Sequence, residues 1–191
     1  MNEKFYEVVI EGSLDLMKGF FMGFLAGRGI EGGVYFDAAC RIDDRECKTA
    51  PLLWLIHTHG NSHSVVVGSG LHDLLIAALN NPAHVIPLRI KKVRQVLSAA
   101  FTCAFRTYSR EVGAELKAIV GGVAGEAVGK SGFELHETVD PEGKGVELFT
   151  PLHDYELAGK GRISGSVKDV LDLNQRLERF EVVEMGKLEL A

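Results

Sequence analysis

The segment Phe5 to Glu11 is rich in β-branched and aromatic residues, and beyond Gly12 and Ser13 the apolar positions Leu14, Met17, Phe21, Phe24 and Leu25 recur three and four residues apart. The first pattern predicts a strand and the second one stripe of an amphipathic helix. The pair returns later, with Val85 to Ile90 strand-like and Val93, Leu97, Phe101, Ala104 and Phe105 spaced as a helical stripe. A shift of 80 superimposes Val8 on Leu88, Ile10 on Ile90, Met17 on Leu97, Phe21 on Phe101 and Leu25 on Phe105. Downstream, Ser69 to Leu75 matches Gly165 to Leu171 at a shift of 96, and each segment starts a helix. A glycine-bounded β segment precedes each of these helices, Ser64 to Val67 and Tyr155 to Ser164, and a strand follows, His84 to Ile90 and Phe180 to Leu188. Val34 to Cys40 and Phe133 to Val139 are strand-like as well, and Asp140-Pro141-Glu142-Gly143 is a turn. The difference between the two shifts places about 16 extra residues of the second half in the long helix-to-loop passage Ser109 to Ser131.

Both halves therefore read strand-helix-strand-strand-helix-strand. Residues 1–88 form the first copy and 84–191 the second, the stretch His84 to Ile90 serving both. Right-handed crossovers close such a unit with its helices on one face of a mainly antiparallel sheet. The expected fold is α+β, two diverged ferredoxin-like repeats packed as one duplicated domain.

This arrangement resembles tandem ferredoxin-like proteins, including paired ACT-type regulatory modules, over nearly the whole chain. The ACT pattern carries a glycine where the first strand meets the first helix, and Gly12 stands in that place. The resemblance implies a small ligand near Glu11, Gly12 and Ser13. The second copy carries Lys91 and Lys92 at the matching position, which argues against a symmetric pair of sites.

Composition narrows the function classes. The 191 residues are 46% hydrophobic and 25% charged, the balance of a globular domain, with a formal net charge of -5. That charge gives no general attraction to phosphate backbones or anionic lipid, so neither nucleic acid nor membrane is an expected partner. The basic run Arg89, Lys91, Lys92 and Arg94 alternates with apolar residues as the solvated face of a strand does. No export signal or membrane-length apolar run is visible, and three cysteines without a C-x-x-C pair fit a reducing compartment, so a cytoplasmic location is expected.

The richest polar cluster is His57-Thr58-His59-Gly60-Asn61-Ser62-His63, behind the apolar run Leu52 to Ile56. If the strand continues, His57 and His59 share a face and could hold a divalent metal such as zinc, with His63 arriving from the turn and His72 or Asp73 as a further ligand. The shift of 96 also sets His57 on His153, a fourth candidate. The His-x-His opening resembles those of metallo-β-lactamase-like and JAMM-type enzymes, but the residues behind it depart from both.

Gly27-Arg28-Gly29-Ile30-Glu31-Gly32 fits G-x-G-x-x-G with the flanking elements reversed, and Ala124 to Ser131 misses the first P-loop glycine. Glu134 and His136 share a strand face and form either an acid/base pair or a solvent-facing row. No nucleophile motif emerges. The leading expectation is a non-catalytic small-molecule-binding or regulatory protein, forming a homodimer. The alternatives are a metal-dependent hydrolase or metal-binding protein using the histidines, and an oligomeric scaffold.

Overall fold

In β1 (Phe5–Glu11) Val8 and Ile10 are fully buried while Glu7, Val9 and Glu11 turn to the opposite face, as period two requires. The computed structural model describes residues 3–26, 33–36, 51–83, 86–124, 133–139 and 153–191. The chain divides into two units, Met1–Leu97 and Ser98–Ala191.

The first unit continues through α1 (Leu14–Ala26), β2 (Gly33–Phe36), β3 (Pro51–His59), β4 (Ser62–Gly68), α2 (Ser69–Leu79) and β5 (Arg89–Val96). Its sheet runs β2-β3-β4-β1-β5, antiparallel throughout except for the parallel pair β2 and β3. β1 and β3 both run against β4, and β4 and β5 both run against β1, so each helix spans a crossover between like-directed strands. Met17, Phe21, Phe24 and Leu25 of α1 and Leu75 of α2 close on Val8, Ile10, Leu53, Leu55, Val65 and Val67, which puts both helices on one face. Asp15 in the first turn of α1 suits the positive end of the helix dipole.

The second unit contains β6 (Ala99–Thr107), α3 (Arg110–Ala124), β7 (Phe133–Val139), β8 (Tyr155–Gly165), α4 (Val167–Leu177), β9 (Val183–Met185) and β10 (Glu189–Leu190). Its antiparallel sheet runs β10-β6-β8-β7, with β9 also on β6. Phe101, Cys103 and Phe105 pack with Leu116 and Val120 of α3, Val170, Leu173 and Leu177 of α4, and Leu157 and Ile163 of β8. Ser166 caps α4 by accepting from Asp169 N–H, and Arg176 lies in the last turn. The molecule is thus α+β, with two largely antiparallel sheets and four helices among the described residues.

Three expectations need correction. The helix expected over Val93 to Phe105 is the pair of strands β5 and β6. Val93, Leu97, Phe101 and Phe105 stand four apart, a spacing that a helix nearly repeats and a strand repeats in every second pleat. Intervening Ala99 and Cys103 are buried with Phe101 and Phe105, whereas Leu97 is 76% exposed. It follows that no strand is shared, because β5 belongs to the first unit and β6 begins the second. The helix-to-loop passage Ser109 to Ser131 is no insertion, because it supplies α3, the first helix of the second unit. Gly27 to Gly32, Cys40, Cys47, His84, Gly125 to Ser131 and Asp140 to Gly143 lie outside the described residues. Among the described residues no helix is long and apolar enough to cross a membrane.

Candidate functional site

β3 runs unbroken through the histidine cluster, but its register on β4 slips between Leu55 and His57. This bulge adds a residue to β3 and exchanges the faces. Leu53 and Leu55 enter the core with Val67 and Val65, whereas His57 pairs with Ser64 and His59 with Ser62 on the face turned away from the helices. The two imidazoles stand side by side there, ring centres 6.5 Å apart and planes 19° from parallel.

His63 takes the other face. Its ring is fully buried, Nδ1 accepts from the Thr58 hydroxyl at 3.2 Å and Nε2–H donates to the Gly12 carbonyl at 2.9 Å. With both nitrogens engaged, His63 ties the β3–β4 turn to the β1–α1 junction and is no companion ligand for His57 and His59. His72, on α2, stacks on Tyr6 with ring centres 4.1 Å apart and meets Asp73 at 2.9 Å. His153 belongs to the second unit, where it stacks on Tyr108 at 4.0 Å just ahead of β8. Among the described residues no three His, Cys, Asp or Glu side chains gather as a metal-binding group.

The Glu11, Gly12, Ser13 junction is filled by the chain itself. Gly12 has φ 155°, and a Cβ there would run into Leu88 Cδ2 and meet the Pro87 carbonyl at 2.9 Å. Its N–H donates to the Asn61 carbonyl at 2.8 Å. The glycine admits segment 86–88 rather than opening room for a ligand. Glu11 pairs with Lys91 at 2.9 Å, and the Ser13 carbonyl accepts the Met17 N–H at 3.0 Å, starting α1.

On the same outer face, Glu7 accepts from the Ser64 hydroxyl and from Arg94 Nε at 2.6 Å. Burial alone raises the Glu7 pKa, but these two hydrogen bonds and the charges of Arg94 and Lys92 more than offset it, so the carboxyl lies below its usual range. The cations of β5 neutralise the carboxylates of β1, which accounts for the basic run in the sequence.

The second sheet offers a hollow. On its face away from the helices, cross-strand register lines up Glu184, Ala104, Lys160 and Glu134 across four strands, with Arg106, Ala158 and His136 in the adjoining row. Small side chains at Ala104 and Ala158 leave the middle of the sheet low between long charged neighbours. Two adjoining depressions result, about 610 Å³ beside Thr102, Glu134, Lys160 and Glu184 and about 490 Å³ beside Arg106, His136 and Ala158. Lys160 lies 3.8 Å from Glu134, and Arg106 pairs with Glu156 at 2.9 Å. Glu184 has no ion-pair partner among the described residues.

Glu134 and His136 do share this face, as expected. The sequence reading missed Thr102, Ala104, Lys160 and Glu184. They come from three strands, β6, β8 and β9, and the sequence pattern predicts a helix for most of the first. A separate polar knot lies where α3 meets β7 and β8. Lys117 donates to Glu137 at 2.7 Å, Arg110 lies 5.4 Å from the Tyr155 ring centre, and Gly113 allows the Tyr155 hydroxyl its close approach.

No protein-family model and no curated protein matches the chain. A solved structure of an unknown protein from Galdieria sulphuraria aligns over 100% of this chain and 99% of its own, at 12% identity and a TM-score of 0.27, a likeness that carries no argument.

Proposed function

We propose that the chain is a cytoplasmic, non-catalytic small-molecule-binding or regulatory protein built from two diverged ferredoxin-like repeats. Supporting the repeat are the strand orders β3-β4-β1-β5 and β7-β8-β6-β10, in which the elements take the same places in chain order, β2 being an addition to the first. The observation that carries the binding role is the 610 Å³ depression on the second sheet, of a size suited to a small ligand. Its chemistry favours a polar molecule bearing an amino group. Ala104 provides an apolar floor, the Glu184 carboxylate, without an ion-pair partner among the described residues, attracts the ammonium, and Lys160 with Glu134 binds the opposite end. This ligand site replaces the one expected at Glu11, Gly12 and Ser13.

Amide NMR titration with amino acids, polyamines and nucleotides tests the reading. Saturable shifts at Thr102, Ala104, Lys160 and Glu184, weakened by Glu184→Gln, support it. No saturable shift at millimolar concentration, or shifts confined to residues around Gly12, overturns it.

Homodimerisation is a second reading, favoured by the edge strand β7. Six of its seven residues are exposed, with Leu135 at 41% and Val139 at 44%. Pairing of this edge across a twofold axis covers them and extends a ladder that ends at β7 among the described residues. Sedimentation equilibrium of wild type and Leu135→Lys decides, since a monomer in both removes this reading.

A further inference from the structure

We infer that His57 and His59 form a two-imidazole site for a borderline divalent transition ion, Zn²⁺, Ni²⁺ or Cu²⁺, at the end of the β3–β4 hairpin. The site uses this pair alone. His63 has both ring nitrogens hydrogen-bonded, His72 lies on α2 against Asp73 and His153 belongs to the second unit, whereas neither His57 nor His59 has a hydrogen-bond partner among the described residues.

The β3 bulge does the placing. Without the extra residue, His57 and His59 would follow Leu53 and Leu55 onto the core face. With it, both rings reach the outer face beside a two-residue turn whose Gly60 adopts φ 58°. An ion about 2 Å from each nitrogen, with its bonds at a tetrahedral angle, needs ring centres about 5 Å apart. The ring centres start 6.5 Å apart, so the two side chains have about 1.5 Å to close by rotation about their χ angles to share one ion.

The neighbours suit a cation. Opposite His57 and His59 stand the hydroxyl residues Ser64 and Ser62, and the lysines and arginines of β5 lie three strands away, beyond β4 and β1. Imidazole ligands favour Zn²⁺, Ni²⁺ and Cu²⁺ over Mg²⁺ and Ca²⁺, which demand oxygen donors. Two protein ligands leave the remaining positions to water, so the ion exchanges readily and does not hold the fold together.

The test uses the untagged full chain. Calorimetric titration with Zn²⁺ and Ni²⁺ is expected to give one ion per chain, and electron paramagnetic resonance of the Cu²⁺ form hyperfine coupling to two nitrogens. His57→Ala or His59→Ala separately is expected to weaken binding by about 100-fold, because the second contact is an intramolecular one. Thr58→Val, which loses the bond to His63 and leaves both rings in place, is expected to keep wild-type affinity. One ion per two chains, with a metal-dependent doubling of mass, supports the same pair acting from two copies. Unchanged affinity in the His57→Ala/His59→Ala double variant overturns the inference, as does loss of binding in Thr58→Val with its fold intact by circular dichroism. Neither result bears on the depression of the second unit.

Discussion

Glu178 closes α4 as its C-cap, with one carboxylate oxygen buried and without a hydrogen-bond partner among the described residues. Burial pushes its pKa from 4.5 to about 7. The folded state therefore holds this proton more tightly than the unfolded chain. Below about pH 4.5 the group is protonated in both states and costs nothing. Between there and about pH 7 the unfolded chain ionises first and stability falls; above pH 7 the full cost remains. At 1.36 kcal/mol per pH unit the limit is about 3 kcal/mol, which water reaching the partly exposed side chain reduces to about 1–2 kcal/mol. Glu178→Gln keeps the shape and removes the charge. It is expected to match wild type at pH 4 and to exceed it by about 1–2 kcal/mol at pH 8. Urea unfolding followed by far-ultraviolet circular dichroism reads this difference. The fluorescence of Trp54, the single tryptophan, follows the first unit separately. Parallel pH profiles for the two proteins refute the argument.

Gly12→Ala forces a side chain against Leu88 and the Pro87 carbonyl at positive φ, and thermal unfolding is expected to show a loss of about 1–3 kcal/mol. His63→Ala leaves the half-buried Gly12 carbonyl and Thr58 hydroxyl without their partner, and a loss of about 1–2 kcal/mol is expected in urea titration. The Cys103 thiol, buried and pushed up to about 11 by desolvation, is expected to resist maleimide at pH 7.5 until the second unit unfolds, as peptide mass spectrometry of the labelled site resolves.

Periodicity predicts β1, α1 and β7, each of which pairs an unambiguous period with a glycine or polar boundary, and the match at a shift of 96 predicts the start of α2. Periodicity failed at Val93 to Phe105, where a spacing of four belongs to both periods and only the burial of Ala99 and Cys103 between the stripe positions distinguishes them. Among the histidines, the shared face of His57 and His59 follows from strand alternation. Which face that is depends on one bulge, and a bulge is a property of the pairing with β4 rather than of β3 alone. The second unit's depression was hidden for the same reason. Glu184, Ala104, Lys160 and Glu134 come from four strands spread over some 80 positions of sequence, and only register brings them into one row.

Register also bears on how many ligands one chain takes. In the first unit the central strand β1 presents Glu7 and Glu11 outward, and Arg94 and Lys91 of β5 fold over them as ion pairs, so long side chains fill the middle of the face. In the second unit the central strand β6 presents Thr102 and Ala104 there, and the middle stays low. The two units thus carry different side chains on these strands, and the hollow exists where these are short. The expected stoichiometry is one ligand per chain, at the second unit. Ala104→Arg is expected to fill the floor and abolish binding while leaving the fold intact, because the new side chain projects from the outer face. Two equivalent sites by calorimetry, or undiminished binding by Ala104→Arg, would show that the centre of the second sheet is not where the ligand lies.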